Sequence, residues 1–210
     1  LRHSPGKTLF IDIGTNGELV LEAGGKMYSC SCAAGPALEG MNITSGMRAA
    51  KGAVEDVHIG PEGIRLDVIG GDEPHGLCGS GILAVVRELV RNGLVTRRGA
   101  FAKPEDFEVG DYRRDILRYN GTKREALLYS SGETELLVTQ SDVRQVQLAK
   151  GAIRSGIEVL LSHGGLTYED IDKVLIAGQF GAHLPAESLL QIGLLPPVTE
   201  DKLAYAGNSA

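Results

Sequence analysis

No apolar run in this 210-residue chain approaches the roughly 20 residues that a helix needs to cross a bilayer. The opening Leu1-Arg2-His3-Ser4-Pro5-Gly6 lacks a signal-peptide layout, so a cytoplasmic protein without a membrane partner is expected. In that compartment the triplets Asn42-Ile43-Thr44 and Asn120-Gly121-Thr122 carry no glycosylation meaning. Basic residues are outnumbered. Against 27 Asp and Glu stand 21 Lys and Arg, a formal charge of −6 with no basic cluster, which argues against nucleic acid as a partner. Cysteine is scarce too, and three thiols in a reducing compartment give no disulfide framework. Cys30 and Cys32 would share one face of a strand, and His75 with Cys78 offers a further pair at a spacing no common zinc module uses. The three cysteines therefore read as small buried hydrophobes. Internal repeats and low-complexity tracts are absent.

Glycine, in contrast, is abundant: 29 residues, well above the usual usage of about 7%. The glycines cluster between apolar runs, where turns and ligand loops belong. The stretch Leu9 to Leu21 reads as a hairpin, with Gly14-Thr15-Asn16-Gly17 as its turn, because Asn-Gly is a dipeptide that tight hairpins prefer. Gly14 and Gly17 would let the backbone approach an anion, and successive N–H groups of Gly14, Thr15 and Asn16 could form a nest for phosphate. Asp12 would face that pocket, where a carboxylate holds hydrated magnesium or orients an attacking water. The same tetrapeptide could also simply close a hairpin.

Further along, Gly24-Gly25 turns the chain into a third strand over Lys26 to Cys32, so three antiparallel strands open the domain. Ala33 to Gly40 is either a helix start or a ligand loop. Ala53–Ile59 and Ile64–Ile69 form a second hairpin, and Ala126–Tyr129 with Glu135–Thr139 a third. A glycine-rich lead from Gly76 enters a helix that ends near Val90, and its N-terminus could hold an anion. Gly76-x-Cys78-x-Ser80 is faintly like a nucleophile elbow, yet Gly70 to His75 interrupts the strand such an elbow should follow, so His75 reads as structural. Residues 96–122 are densely charged and read as a surface insertion. Thr139-Gln140-Ser141-Asp142 supplies capping chemistry for a helix from about Asp142 to Ser162, with Val143, Val146, Ala149, Ile153, Ile157, Leu160 and Leu161 on one stripe. Lys173 to Ala177 is an apolar strand that runs into Gly178-Gln179-Phe180-Gly181, the pattern of a buried parallel strand with a ligand at its carboxyl end. A short helix from Pro185, a last strand over Leu203 to Ala206 and a helix start at Gly207-Asn208-Ser209-Ala210 complete the chain.

The combination resembles one half of the actin, sugar-kinase and heat-shock-chaperone ATPase fold. The expected fold class is α/β: a ribonuclease H-like half-domain whose mixed sheet opens with an antiparallel three-strand meander, with helices on both faces. In that family two halves close on ATP, and the order here, phosphate turn then adenosine loop, is similar to the second half. The blocks Asp12 to Glu18, Ala33 to Gly40, Gly46-Met47-Arg48-Ala49, Gly76 to Gly81 and Ala177 to Gly181 together look like the C-terminal ATPase region of reductive activators of corrinoid proteins.

The resemblance implies that residues 1–210 are a single ATPase subdomain, with its insertion at about 96–122, cut from a longer protein. It implies an ATP-dependent activator that returns cob(II)alamin of a corrinoid methyl-transfer protein to cob(I), with Asp12 as the catalytic residue and the holder of magnesium through water. Gly14, Thr15, Asn16 and Gly17 would contact phosphate, and Gly178, Gln179, Phe180 and Gly181 the adenosine. The cofactors implied are ATP and magnesium, with an iron–sulfur cluster only in a ferredoxin-like domain outside this chain. The implied partners are the corrinoid protein of a methyltransferase system, the first ATPase half and the ferredoxin domain, and a homodimer is a further expectation. Two other functions fit the same residues: a small-molecule kinase of the same superfamily, and a non-catalytic nucleotide- or protein-binding module.

Overall fold

A computed structural model describes residues 6–71, 73–132, 134–178 and 184–207. The chain opens as its turn chemistry predicts, with β1 (Thr8–Ile13), β2 (Gly17–Ala23) and β3 (Lys26–Cys32) in an antiparallel meander. Gly24 and Gly25 both take left-handed φ values at the second turn, a conformation that costs a side-chain-bearing residue about 1–2 kcal/mol. After a short 3-10 turn over Pro36–Glu39 come β4 (Ala53–Gly60), β5 (Gly63–Val68), β6 (Gly76–Leu77) and α1 (Gly79–Arg91). The charged stretch holds α2 (Tyr112–Ile116) and leads to β7 (Leu117–Asn120), β8 (Lys123–Ser131) and β9 (Thr134–Thr139). The 25-residue α3 (Gln140–Gly164), β10 (Lys173–Ala177), α4 (Ala186–Gln191) and β11 (Leu203–Gly207) follow. Of the helix start expected at Gly207-Asn208-Ser209-Ala210, Gly207 instead ends β11, where its backbone pairs with Ala177, and residues 208–210 lie outside the described residues.

The residues fall into two compact units, Leu1–Pro36 with Leu148–Ala210, and Ala37–Gln147. In the first, a five-stranded mixed sheet has the order β11-β10-β1-β2-β3. β1 and β10 are parallel, as are β10 and β11. Leu9, Ile11, Ile13, Val174 and Ile176 are fully buried, as the near-continuous apolar runs of β1 and β10 require of interior strands. Ile153, Ile157, Leu160 and Leu161 bury the apolar stripe of α3 in this unit. Gly156 is the point of closest approach: a methyl group there would stand 2.4 Å from Leu19 Cδ1 on β2.

The second unit has two three-stranded sheets, β5-β4-β6 and β7-β8-β9. α1 buries Ile82, Leu83, Val85, Val86 and Leu89, but also Arg87 and Glu88. Burying those charges is tolerable because both are saturated. Arg87 donates to Asp56 Oδ1 at 3.0 Å and to the Val57 carbonyl at 3.0 Å, while Glu88 accepts from Ile59 N at 3.1 Å and from Arg87 Nε at 3.2 Å. The charged stretch 96–122 contributes Phe101, Ile116 and Leu117 to this unit's interior. At the start of α3 the capping chemistry is in place: the buried Asp142 carboxylate accepts from Thr139 N and Thr139 Oγ1, both at 2.8 Å, and from Thr44 N at 2.8 Å.

The cysteines correct one expectation. Cys78 stands between β6 and α1 and is buried, its thiol 3.2 Å from both the Val54 carbonyl and Ser80 Oγ, so it is not presented to solvent as a nucleophile would be, whereas the small-hydrophobe expectation fails for the other two. Cys30 and Cys32 are half-buried, because β3 is a sheet edge. Among the described residues no helix is long and apolar enough to cross a membrane.

Candidate functional site

Because β1, β10 and β11 run parallel, their carboxyl ends share one edge of the first unit's sheet, where open α/β sheets take their ligands. Asp12 pairs with Ala177, and Ala177 with Gly207. Asp12 is half-buried one residue before the end of β1, and Gly178 follows β10 directly. Gly178 has φ +99°, and a Cβ there would fall 2.5 Å from Asp12 Oδ1 and 2.5 Å from the Ile13 carbonyl. Only bare backbone fits against the carboxylate. The two stretches that looked chemical in the sequence, remote from each other along the chain, thus meet at Asp12 and Gly178. Gln179, Phe180 and Gly181 lie outside the described residues.

The turn after β1 is held from inside and from one side. Gly14 N donates to the Asn16 carbonyl at 3.1 Å, Gly35 N to the Thr15 carbonyl at 2.8 Å, and the Cys32 thiol lies 3.4 Å from the Gly17 carbonyl. The Gly14 N–H, one of the expected phosphate donors, is thus committed within the turn. Neither Gly14 nor Gly17 adopts a left-handed φ, so handedness does not explain either glycine. A methyl group on Gly14 would meet only the Asn16 carbonyl, at an ordinary 3.4 Å, whereas one on Gly17 would meet Cys32 Sγ at 2.8 Å and Ile153 Cγ1 at 3.3 Å. Gly14 faces open space and Gly17 faces packed protein.

Three residues escaped the sequence reading. Glu18 sits directly across from Asp12 on β2, exposed, with Ser31 Oγ donating to its Oε1 at 2.9 Å. Like charges in cross-strand positions are unfavourable unless something positive lies between them, so the pair fits a hydrated cation. The other two are Cys32 and Gly35, which hold the turn. The Asp12–Glu18 pairing was recoverable from the sequence, since a register that closes Ile13 on Gly17 places Asp12 on Glu18. Burial, and after it the charge of Cys30, pushes the Cys32 thiol pKa up; burial and then Glu18 do the same for Cys30. Among the described residues no three or more His, Cys, Asp or Glu side chains gather as metal ligands.

The family profile described as "C-terminal domain of RACo the ASKHA domain" matches residues 6–210. The chain belongs to this family. ASKHA is the superfamily of actin, the sugar kinases and the heat-shock chaperones, so the expected α/β actin-like ATPase fold is the one observed, with mixed and antiparallel sheets. This ASKHA domain is 37% identical over 206 residues to the "Corrinoid activation enzyme RamQ" of Eubacterium limosum, covering 96% of the chain and 35% of that protein. It is 29% identical over 230 residues to the "[Co(II) methylated amine-specific corrinoid protein] reductase" of Methanosarcina barkeri, covering 98% of the chain and 38% of that protein. A solved structure, "Reductive activator for corrinoid,iron-sulfur protein", superposes with a TM-score of 0.88 at 37% identity, over 100% of the ASKHA domain and 33% of that chain. The domain therefore spans about a third of the length of these relatives.

Proposed function

We propose that this ASKHA domain is the ATP-binding half of an ATP-dependent reductive activator that returns the Co(II) of a corrinoid methyl-transfer protein to Co(I). The observation that carries the reading is the contact of Gly178 with Asp12 at the carboxyl ends of β10 and β1, which is what a phosphate turn and an adenosine loop serving one nucleotide would require. The names of the relatives support the corrinoid protein as partner, a methylated amine-specific one in the case of Methanosarcina barkeri. The electron comes from an iron–sulfur cluster in the part of the protein that this domain does not cover.

Phosphoryl transfer asks a protein chiefly for positioning and charge stabilisation. Asp12, with Glu18 across from it, holds a hydrated magnesium ion or orients the attacking water. The backbone N–H groups of Thr15 and Asn16 meet phosphate oxygens at the mouth of the turn, and the open face of Gly14 gives those oxygens room. Gly178 presents bare backbone to the adenosine, and Gln179, Phe180 and Gly181, expected to contact it too, lie outside the described residues. A magnesium ion held there would supply charge neutralisation at the phosphates, and ATP would supply the free energy that rearranges the partner. The segment from Ala33 to Arg48 or the charged stretch 96–122 receives the corrinoid protein.

Calorimetric titration with magnesium ATP tests this reading in the protein at its full natural length. Saturable binding is expected, together with loss of ATP hydrolysis in Asp12→Ala. Near-normal turnover in that variant would remove Asp12 from its role.

A further inference from the structure

An anion nest works only if its carbonyl oxygens are directed elsewhere, since a carbonyl repels a phosphate as strongly as an N–H attracts it. In the turn after β1 every carbonyl from Thr15 to Gly17 has a donor behind it: Gly35 N on Thr15, Gly14 N on Asn16, and the Cys32 thiol on Gly17. We propose that Cys32 is a positioning residue of the phosphate turn, which together with the Gly35 amide holds the Gly17 and Thr15 carbonyls back from the bound phosphates. This rests on the nucleotide reading above and adds to it a residue outside the loops that touch the ligand.

Cys32 stands opposite Gly17 in the β2–β3 register, at the foot of the turn. Gly17 is glycine because the sulfur occupies the space of a side chain there, 2.8 Å from where its Cβ would be. Gly35 has φ +78°, the left-handed conformation by which the chain leaves β3 and brings its N–H onto Thr15. Burial keeps the Cys32 thiol protonated at neutral pH, so it serves as a donor; a thiolate would repel the carbonyl it now holds. Cys30 supplies an internal control. It lies on the same face of β3, but its thiol points 3.7 Å from the Gly156 carbonyl on α3.

The full-length protein, Cys32→Ala, Cys32→Ser and Cys30→Ala are titrated with magnesium ATP, and amide hydrogen exchange of the peptide around Thr15 and Asn16 is followed without nucleotide. Losing one weak hydrogen bond should weaken binding by about three- to tenfold in Cys32→Ala, with faster exchange in the turn. Cys32→Ser, which restores a donor, should recover most of the affinity, and Cys30→Ala should bind as the unaltered protein does. Unchanged affinity and exchange in Cys32→Ala, or equal weakening in Cys30→Ala, would overturn the proposal. If the unaltered protein binds no magnesium ATP, the nucleotide reading itself fails, and exchange at the turn alone decides whether Cys32 holds it.

Discussion

Gly14 and Gly17 lie in one turn and are glycine for opposite reasons, which substitution separates. Gly14→Ala adds a methyl group with room to stand, so the thermal midpoint should hardly move while magnesium ATP binding weakens, because the new methyl projects where phosphate would lie. Gly17→Ala drives a methyl into Cys32 Sγ and Ile153, and overpacking of this kind costs about 1–3 kcal/mol, read as a lower midpoint in denaturant. An equal loss of stability in both would mean that Gly14 also serves packing. Acid sensitivity is set at single residues too. Asp170 accepts from Thr167 N at 2.9 Å, Lys7 Nζ at 3.0 Å and Thr167 Oγ1 at 3.1 Å, and the Thr167 backbone bond leads these in holding its pKa down to about 2. A depressed carboxylate contributes stability above its unfolded pKa of about 3.9 and loses it as pH falls toward 2. Thermal melts of Asp170→Asn should therefore fall below those of the unaltered protein at pH 5 and converge with them at pH 2.

At the scale of elements, α3 shows where propensity and packing oppose each other. Gly156→Ala would improve helix propensity by up to about 1 kcal/mol, but the methyl would enter fully buried Leu19 at 2.4 Å, and overpacking costs about 1–3 kcal/mol, so net destabilisation is expected in denaturant unfolding. The start of the same helix depends on Asp142. Replacing it with Ala removes the acceptor of Thr44 N and Thr139 N, which are part-buried, at a cost of about 1–2 kcal/mol by the same measurement. These elements were legible in the sequence to different degrees, for physical reasons. Hairpins announced themselves because Asn16-Gly17, Gly24-Gly25 and Pro61-Glu62-Gly63 are local turn chemistry, and α3 did so through its cap and its stripe. The two-residue strand β6 is too short to carry a period, and the Arg87-Glu88 cluster reads as surface until β4 supplies its partners.

For the whole molecule, the candidate site was half legible. Asp12 and the Gly178 loop stood out because an acid before Gly-Thr and an apolar strand ending in glycine each break a local rule, and the match of the family from residue 6 to 210 supports reading them together. Cys32 and Gly35 did not stand out, since their work depends on a cross-strand register and a carbonyl that no periodicity reveals. A ligand that binds only the folded state raises stability by RT ln(1 + [L]/Kd), about 2.7 kcal/mol at a hundredfold excess over Kd. Magnesium ATP should accordingly raise the thermal midpoint of the full-length protein in a concentration-dependent way, and the rise should vanish in Asp12→Ala.

The parallel pairing of β1 with β10 also fixes an order of events during synthesis. β1 leaves the ribosome before β10, and until β10 is made the side of β1 that it will take has no partner. At the usual 5–20 residues per second, β10 follows on the order of ten seconds later. In that interval Ala37–Gln147, an uninterrupted segment, can complete its own fold, while the meander waits with one unpaired side. The nascent chain is thus most exposed to misassociation at the strand that carries Asp12, and a chaperone that shields such an edge would act on it before the site exists.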